Sequence, residues 1–214
     1  MNSMFKGLRR LAVGLAFMAA LPVHANALDQ LASLLTGYER FSARFEQFSS
    51  GEQGTRGEVT SGYLAVSRPD KFVWNTETPF PQEIVSDGEY IWIYDTDLEQ
   101  ATRKSADQNT ESAPALILNG RIHELDRMYE VTLLQRSVDM EVFELIPKLP
   151  QEAMFSRIRL LFKDAVLSEF LLDDTLGQRS TIMLSEVQLN PELDESIFSF
   201  TPPDDVDVLY ESDR

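Results

Sequence analysis

The sequence predicts a mainly β (α+β), antiparallel fold of about eleven strands with two short apolar helices. Three observations carry this. Short runs with period-two alternation recur along the chain at meander spacing, turn signals separate most of them, and only two segments show apolar helical spacing. No linker and no internal repeat divides the chain after its first 25 residues, so residues 26–214 are expected to form a single domain.

Residues 1–25 stand apart. Lys6, Arg9 and Arg10 precede an apolar run from Leu11 to Leu21, Pro22 breaks it, and Val23-His24-Ala25 offers small residues at the positions a signal peptidase reads. That is the pattern of a cleaved export signal, and the run is short of the ~20 residues that span a bilayer. Cleavage is expected after Ala25, with Ala27 as a competing site. It leaves 16 basic against 35 acidic residues, a net charge of −19 over 189 residues.

Asn26 is placed to cap a helix in which Leu28, Leu31, Ala32 and Leu35 share a face, with Asp29 in its first turn and Gly37 at its end. Phe41, Ala43 and Phe45 alternate with polar residues as a first strand, and Gly51, Gly54 and Gly57 mark the loop after it. Strands follow near Glu58–Val66, Lys71–Thr76, Gln82–Ser86, Glu89–Asp95 and Glu99–Lys104. Arg68-Pro69-Asp70 turns the second into the third, and Asp87-Gly88 is a hairpin signal between the fourth and fifth. Glu111–Asn119 carries Pro114 early and Gly120 just beyond its end, which suits a short apolar helix containing Leu116, Ile117 and Leu118. Arg121–Met128 is read as a turn of helix and a loop. Strands resume at Tyr129–Gln135, Met140–Ile146, Ser156–Phe162, Val166–Asp173 and Gln178–Gln188.

Some of these strands are apolar on both faces, notably Tyr90-Ile91-Trp92-Ile93-Tyr94. A sheet with one wet face should alternate cleanly. The departure suggests a curved sheet covered on its concave side, either by an ordinary core helix or by helices that enclose an apolar cavity.

Composition removes several chemistries. The net charge of −16 argues against nucleic acid, whose phosphates require a basic face. There is no cysteine, hence no disulfide, thiolate metal site or cysteine-linked lipid. His24 and His123 are the only histidines, too few for a histidine-based metal site, and no metal or cofactor is expected. No G-x-x-x-x-G-K-S/T loop occurs. Asp95-Thr96-Asp97 begins like a calcium loop, but Gln100 and Ala106 occupy the positions that need Gly and Glu. Carboxylates are numerous, yet none is marked as a catalytic pair, so no enzyme is expected and a carboxylate hydrolase is the remote alternative.

Three segments in order resemble one family. Ser67-Arg68-Pro69-Asp70-Lys71-Phe72-Val73-Trp74 is similar to the R-P-x-x-F-x-W hairpin of the LolA outer-membrane lipoprotein carriers. Ile84 to Tyr94 is similar to their V-S-D-G-x-x-x-W-x-Y hairpin, and Phe198-Ser199-Phe200-Thr201-Pro202-Pro203 to their F-x-F-x-P-P ending. Asp204-Asp205 departs from the small residue or glycine usual after that ending, and Ala115 is small for a helix that covers acyl chains. The resemblance implies an incomplete, curved antiparallel β-barrel with a lid of short helices over an apolar cavity. It implies a periplasmic chaperone, working as a monomer. Such a carrier takes triacylated lipoproteins from an ATP-driven inner-membrane Lol transporter and gives them to the outer-membrane receptor LolB. It also implies that Arg68 holds the lid closed through backbone carbonyls at Leu35, Leu118 and Asn119. Phe72 is implicated in cargo transfer; Trp74, Ile91, Ile93, Leu116, Ile117 and Leu118 are the candidate wall of the cavity. A lipid-sensing periplasmic regulator on the same half-barrel is the alternative.

Overall fold

A computed structural model describes residues 26–50, 56–106 and 113–211. The export signal expected at 1–25 and most of the glycine-spaced loop, 51–55, lie outside the described residues, as does the Ala115 side chain.

All eleven expected strands form. They are β1 (Arg40–Ser50), β2 (Arg56–Ser67), β3 (Lys71–Thr78), β4 (Gln82–Asp87), β5 (Tyr90–Asp95), β6 (Gln100–Ser105), β7 (Tyr129–Arg136), β8 (Met140–Pro147), β9 (Phe155–Lys163), β10 (Val166–Asp174) and β11 (Arg179–Leu189). A twelfth, β12 (Asp207–Tyr210), corrects the count. It has four residues and pairs parallel to β6, so neither length nor a hairpin turn announces it. The strands join one sheet in the order β12-β6-β5-β4-β3-β2-β1-β11-β10-β9-β8-β7. Two antiparallel meanders thus meet at the β1–β11 pair, and the sheet is an open, curved half-barrel rather than a closed one.

Helix α1 (Ala27–Thr36) starts where expected, its first turn capped by the Asn26 side chain accepting from the Asp29 amide at 2.7 Å. Helix α2 (Ala113–Leu118) is followed by a seven-residue helix, α3 (Ile122–Met128), where the sequence suggested only a turn and a loop. Leu125 explains the difference: it is fully buried, and tertiary packing extends the helix.

Register shows which side chains share a face. One rung runs Phe41–Val66–Phe72–Ser86–Ile91 across β1 to β5, and the next runs Ala43–Leu64–Trp74–Ile84–Ile93. On the other wing, Ile182, Phe170, Leu160, Phe143 and Leu133 form a rung across β11 to β7. These rungs form the concave face, and all three helices lie on it. Leu31, Leu35, Leu116, Ile117 and Leu125 pack with Phe41, Leu64, Val66, Phe143, Leu160 and Phe170 of these rungs into the main core. The opposite face has a smaller core of Ala65, Val73, Val85 and Phe198, with Phe200 packed against it. Here lies the reason that β5 is apolar on both sides. Ile91 and Ile93 point to the concave face, while Trp92 and Tyr94 each stack on Phe200 at 5.4 Å from the outside.

Candidate functional site

The site begins as a helix-ending problem. The last carbonyls of a helix have no partner within it. At the end of α2, Gly120 takes the left-handed conformation (φ +65°), which glycine adopts without Cβ strain. The chain then turns back so that the Arg121 amide donates to the Leu116 carbonyl at 3.0 Å and the Gly120 amide to the Ile117 carbonyl at 3.1 Å. The Leu118 carbonyl needs a donor from elsewhere. Arg68, in the turn between β2 and β3, supplies it twice, from Nε at 3.2 Å and Nη2 at 3.0 Å.

The same guanidinium serves α1. Its Nη1 donates to the Leu35 carbonyl in the last turn of α1 and to the Tyr38 carbonyl just beyond at 2.8 Å. Arg68 therefore joins the C-terminal ends of two helices, where a cation also meets the negative end of each helix dipole. Its Cζ lies 4.3 Å from the centroid of the Tyr38 ring. Burial lowers the guanidinium's pKa, and Tyr38 opposes that shift. Burial raises the pKa of the Tyr38 phenol, with Arg68 acting the other way.

Of the residues singled out in the sequence, Arg68, Leu35 and Leu118 thus meet through side-chain-to-backbone bonds. The Tyr38 carbonyl, rather than that of Asn119, completes the set of acceptors. Among the described residues, the Asn119 side-chain oxygen is buried without a hydrogen-bond partner. Leu116, Ile117 and Leu118 are buried in the main core, and Phe72 and Trp74 pack partly buried against it, with the Trp74 ring 4.6 Å from that of Phe45. Ile91 (3% exposed) and the half-buried Ile93 share the concave face but lie outside that cluster. Leu31, Leu35, Leu116, Ile117 and Leu125 of the helices pack directly against the rest of that cluster. Among the described residues, a cleft of about 610 Å³ opens where α3 meets β7 and β8, and one of about 190 Å³ lies between the start of α1 and β7; none of the singled-out residues lines either. His123 sits exposed on α3, and Asp95 closes a turn by accepting from the Leu98 amide at 3.0 Å.

Tyr38, and the contact that Gly120 makes, escaped the sequence argument. A Cβ on Gly120 would lie 3.0 Å from Arg68 Cζ, so glycine there serves the approach of the guanidinium as well as the turn. The sequence showed the helix stop but not what would press against it.

Fold and site together define an open half-barrel whose apolar concave face is covered by short helices, two of them bonded at their ends by a half-buried arginine. The model of the outer membrane lipoprotein carrier protein LolA matches residues 36–201. The chain is 36% identical over 205 residues to the outer-membrane lipoprotein carrier protein of Azotobacter vinelandii, covering 95% of this chain and 98% of that one. It is 38% identical over 198 residues to the protein of that name from Chromobacterium violaceum, covering 92% and 94%. Among solved structures, an uncharacterized conserved protein from Thermus thermophilus has the same fold, with a TM-score of 0.54, 14% identity, and coverage of 86% of this chain and 97% of that one. The chain belongs to the LolA family of outer-membrane lipoprotein carrier proteins.

Proposed function

We propose that this protein is a periplasmic carrier that holds the acyl chains of lipoproteins while they cross the aqueous space between two membranes. It would be exported with loss of residues 1–25, accept triacylated lipoproteins from an ATP-driven inner-membrane Lol transporter, and pass them to the receptor LolB. Direction then comes from the partners, since the chain has no phosphate-binding loop of its own.

The need is energetic. Moving one methylene from lipid to water costs about 0.8 kcal/mol, so a single long acyl chain costs on the order of 10 kcal/mol. An apolar enclosure offsets most of that. The observation that carries the proposal is Arg68: one half-buried cation fastens the ends of α1 and α2 over an apolar sheet face. On this reading Leu35, Leu116, Ile117 and Leu118 occupy the concave face in the empty carrier. Cargo displaces them and packs against Phe72, Trp74, Ile91 and Ile93. Five fixed donors suit Arg to several carbonyls at once, a geometry Lys does not offer.

Replacing Arg68 tests this. Arg68→Leu removes charged hydrogen bonds of about 1.5–3 kcal/mol each from the closed state and fewer from the loaded one. It also adds apolar surface near the cargo. Both effects favour the loaded form, by about tenfold for each ~1.4 kcal/mol of difference. The variant should accept lipoprotein well and deliver it slowly, as timed by transfer from purified loaded carrier to receptor. Delivery at the wild-type rate would return Arg68 to an ordinary turn residue. Depleting the protein from its host should strand lipoproteins at the inner membrane; normal sorting would overturn the carrier reading and favour a lipid sensor.

A further inference from the structure

The turn that carries Arg68 carries a second charge two residues on. Asp70 faces Arg121, in the link between α2 and α3: Arg121 Nε donates to Asp70 Oδ1 at 3.0 Å, and Nη2 reaches the same oxygen. The side chains are 27% and 29% exposed, so the pair is more enclosed than the surface ion pairs Arg40–Glu195 or Lys71–Glu195. Each end is anchored. The Ser86 hydroxyl donates to the Asp70 carbonyl at 2.9 Å and so ties the turn to β4. The Arg121 amide is tied to the Leu116 carbonyl, the bond that closes α2. Between the two anchors Gly120 lies against the Arg68 guanidinium. Turn and link therefore match in two places, cation to carbonyl at Arg68 and anion to cation at Asp70.

We infer that Asp70 and Arg121 are a second fastener of the helical cover, positioning residues that set how readily the empty carrier opens. The inference rests on the carrier reading and deepens it. Arg68 grips both α1 and α2, whereas the Asp70–Arg121 pair holds only the α2–α3 link. Loosening the pair should free one side of the cover while α1 stays fastened.

Hydrogen exchange of the Gly120 and Arg121 amides in the cargo-free protein reports on the link directly, since both are bonded back to α2. Asp70→Asn and Arg121→Gln should each speed that exchange about three- to tenfold, with amides of β1 and β11 unchanged. The double variant should exchange no faster than either single one. The swapped pair, Asp70→Arg with Arg121→Asp, should recover much of the protection. Wild-type exchange in both single variants, or a swap that exchanges like the double variant, would overturn the fastener. Timed cargo transfer then tests the link to function: Asp70→Asn should slow delivery in the direction of Arg68→Leu but by less. A link that loosens while delivery stays at the wild-type rate would overturn the role in opening. The carrier reading falls on a different result, normal lipoprotein sorting in depleted cells, which leaves the exchange data standing.

Discussion

An arginine drawn even partly out of water is costly unless its donors are satisfied, and the half-buried Arg68 is satisfied by backbone rather than by acid. On the carrier role proposed above, that choice suits a clasp that opens. Carbonyls at helix ends can return to water, whereas a buried carboxylate left behind would be a stranded charge. The opposite arrangement occurs on the outer face. Asp173, 8% exposed, is held by Arg179 at 2.6 Å and Arg157 at 2.7 Å. The Arg179 hydrogen bond, with that from Arg157, holds its carboxyl below the usual range against the opposing effect of burial. A depressed carboxylate contributes stability that is fully present above its unfolded pKa of about 3.9 and is lost as pH falls through the folded value. Asp173→Asn should therefore cost about 1–2 kcal/mol at pH 7, read from urea midpoints, and the two proteins should converge as pH falls through the depressed folded value. Equal midpoints at pH 7 would show that the triad contributes nothing net.

Elements this short do not persist alone. Six residues give α2 too few internal hydrogen bonds to offset helix nucleation, so it exists because Leu116, Ile117 and Leu118 are buried and its end is closed by Gly120 and Arg68. An element held from outside is also one that can leave as a unit when its contacts are replaced. Leu118→Asp puts an unpaired charge into a position 6% exposed, at a cost of several kcal/mol to the closed cover. The strands do not depend on it. Far-ultraviolet circular dichroism should stay strand-like while uptake of an acylated cargo weakens; full uptake would show that this face of α2 does not meet cargo.

An open sheet of twelve strands has two free edges, each a template for another chain. The β7 edge lies beside α1. The other meander is closed off by β12, whose return follows the Phe198 and Phe200 packing on the outer face and a turn in which the Val206 amide donates to the Pro203 carbonyl at 3.2 Å. Asp204-Asp205 sits in that turn, so acidic residues there are compatible with the family ending. Arg103 of β6 lies 4.7 Å from the Tyr210 ring and 4.3 Å from that of Tyr90, which pins β12 in place. Truncation after Pro203 should uncover β6 and give concentration-dependent self-association by size-exclusion chromatography at neutral pH. A truncated chain that stays at the wild-type elution volume would show that β12 is not an edge guard. The net charge of −16 opposes such association in the intact protein.

Local patterns in the sequence determined the eleven long strands, the start of α1, the stop after α2 and the exclusion of thiol chemistry. Each depends on side-chain period, a capping residue or bare composition, and those are properties of neighbours in the chain. Arg68 was legible as a site residue only through the ordered motifs around it. Its geometry was not, because its acceptors lie 30, 33 and 50 residues away in sequence. The same distance hid β12, the buried face that extends α3, the approach of Gly120 to the guanidinium, and the Asp70–Arg121 pair, whose partners are 51 residues apart. Tertiary structure alone decided these, since a hydrogen bond or an ion pair forms between groups that folding brings within about 3 Å, whatever their separation along the chain.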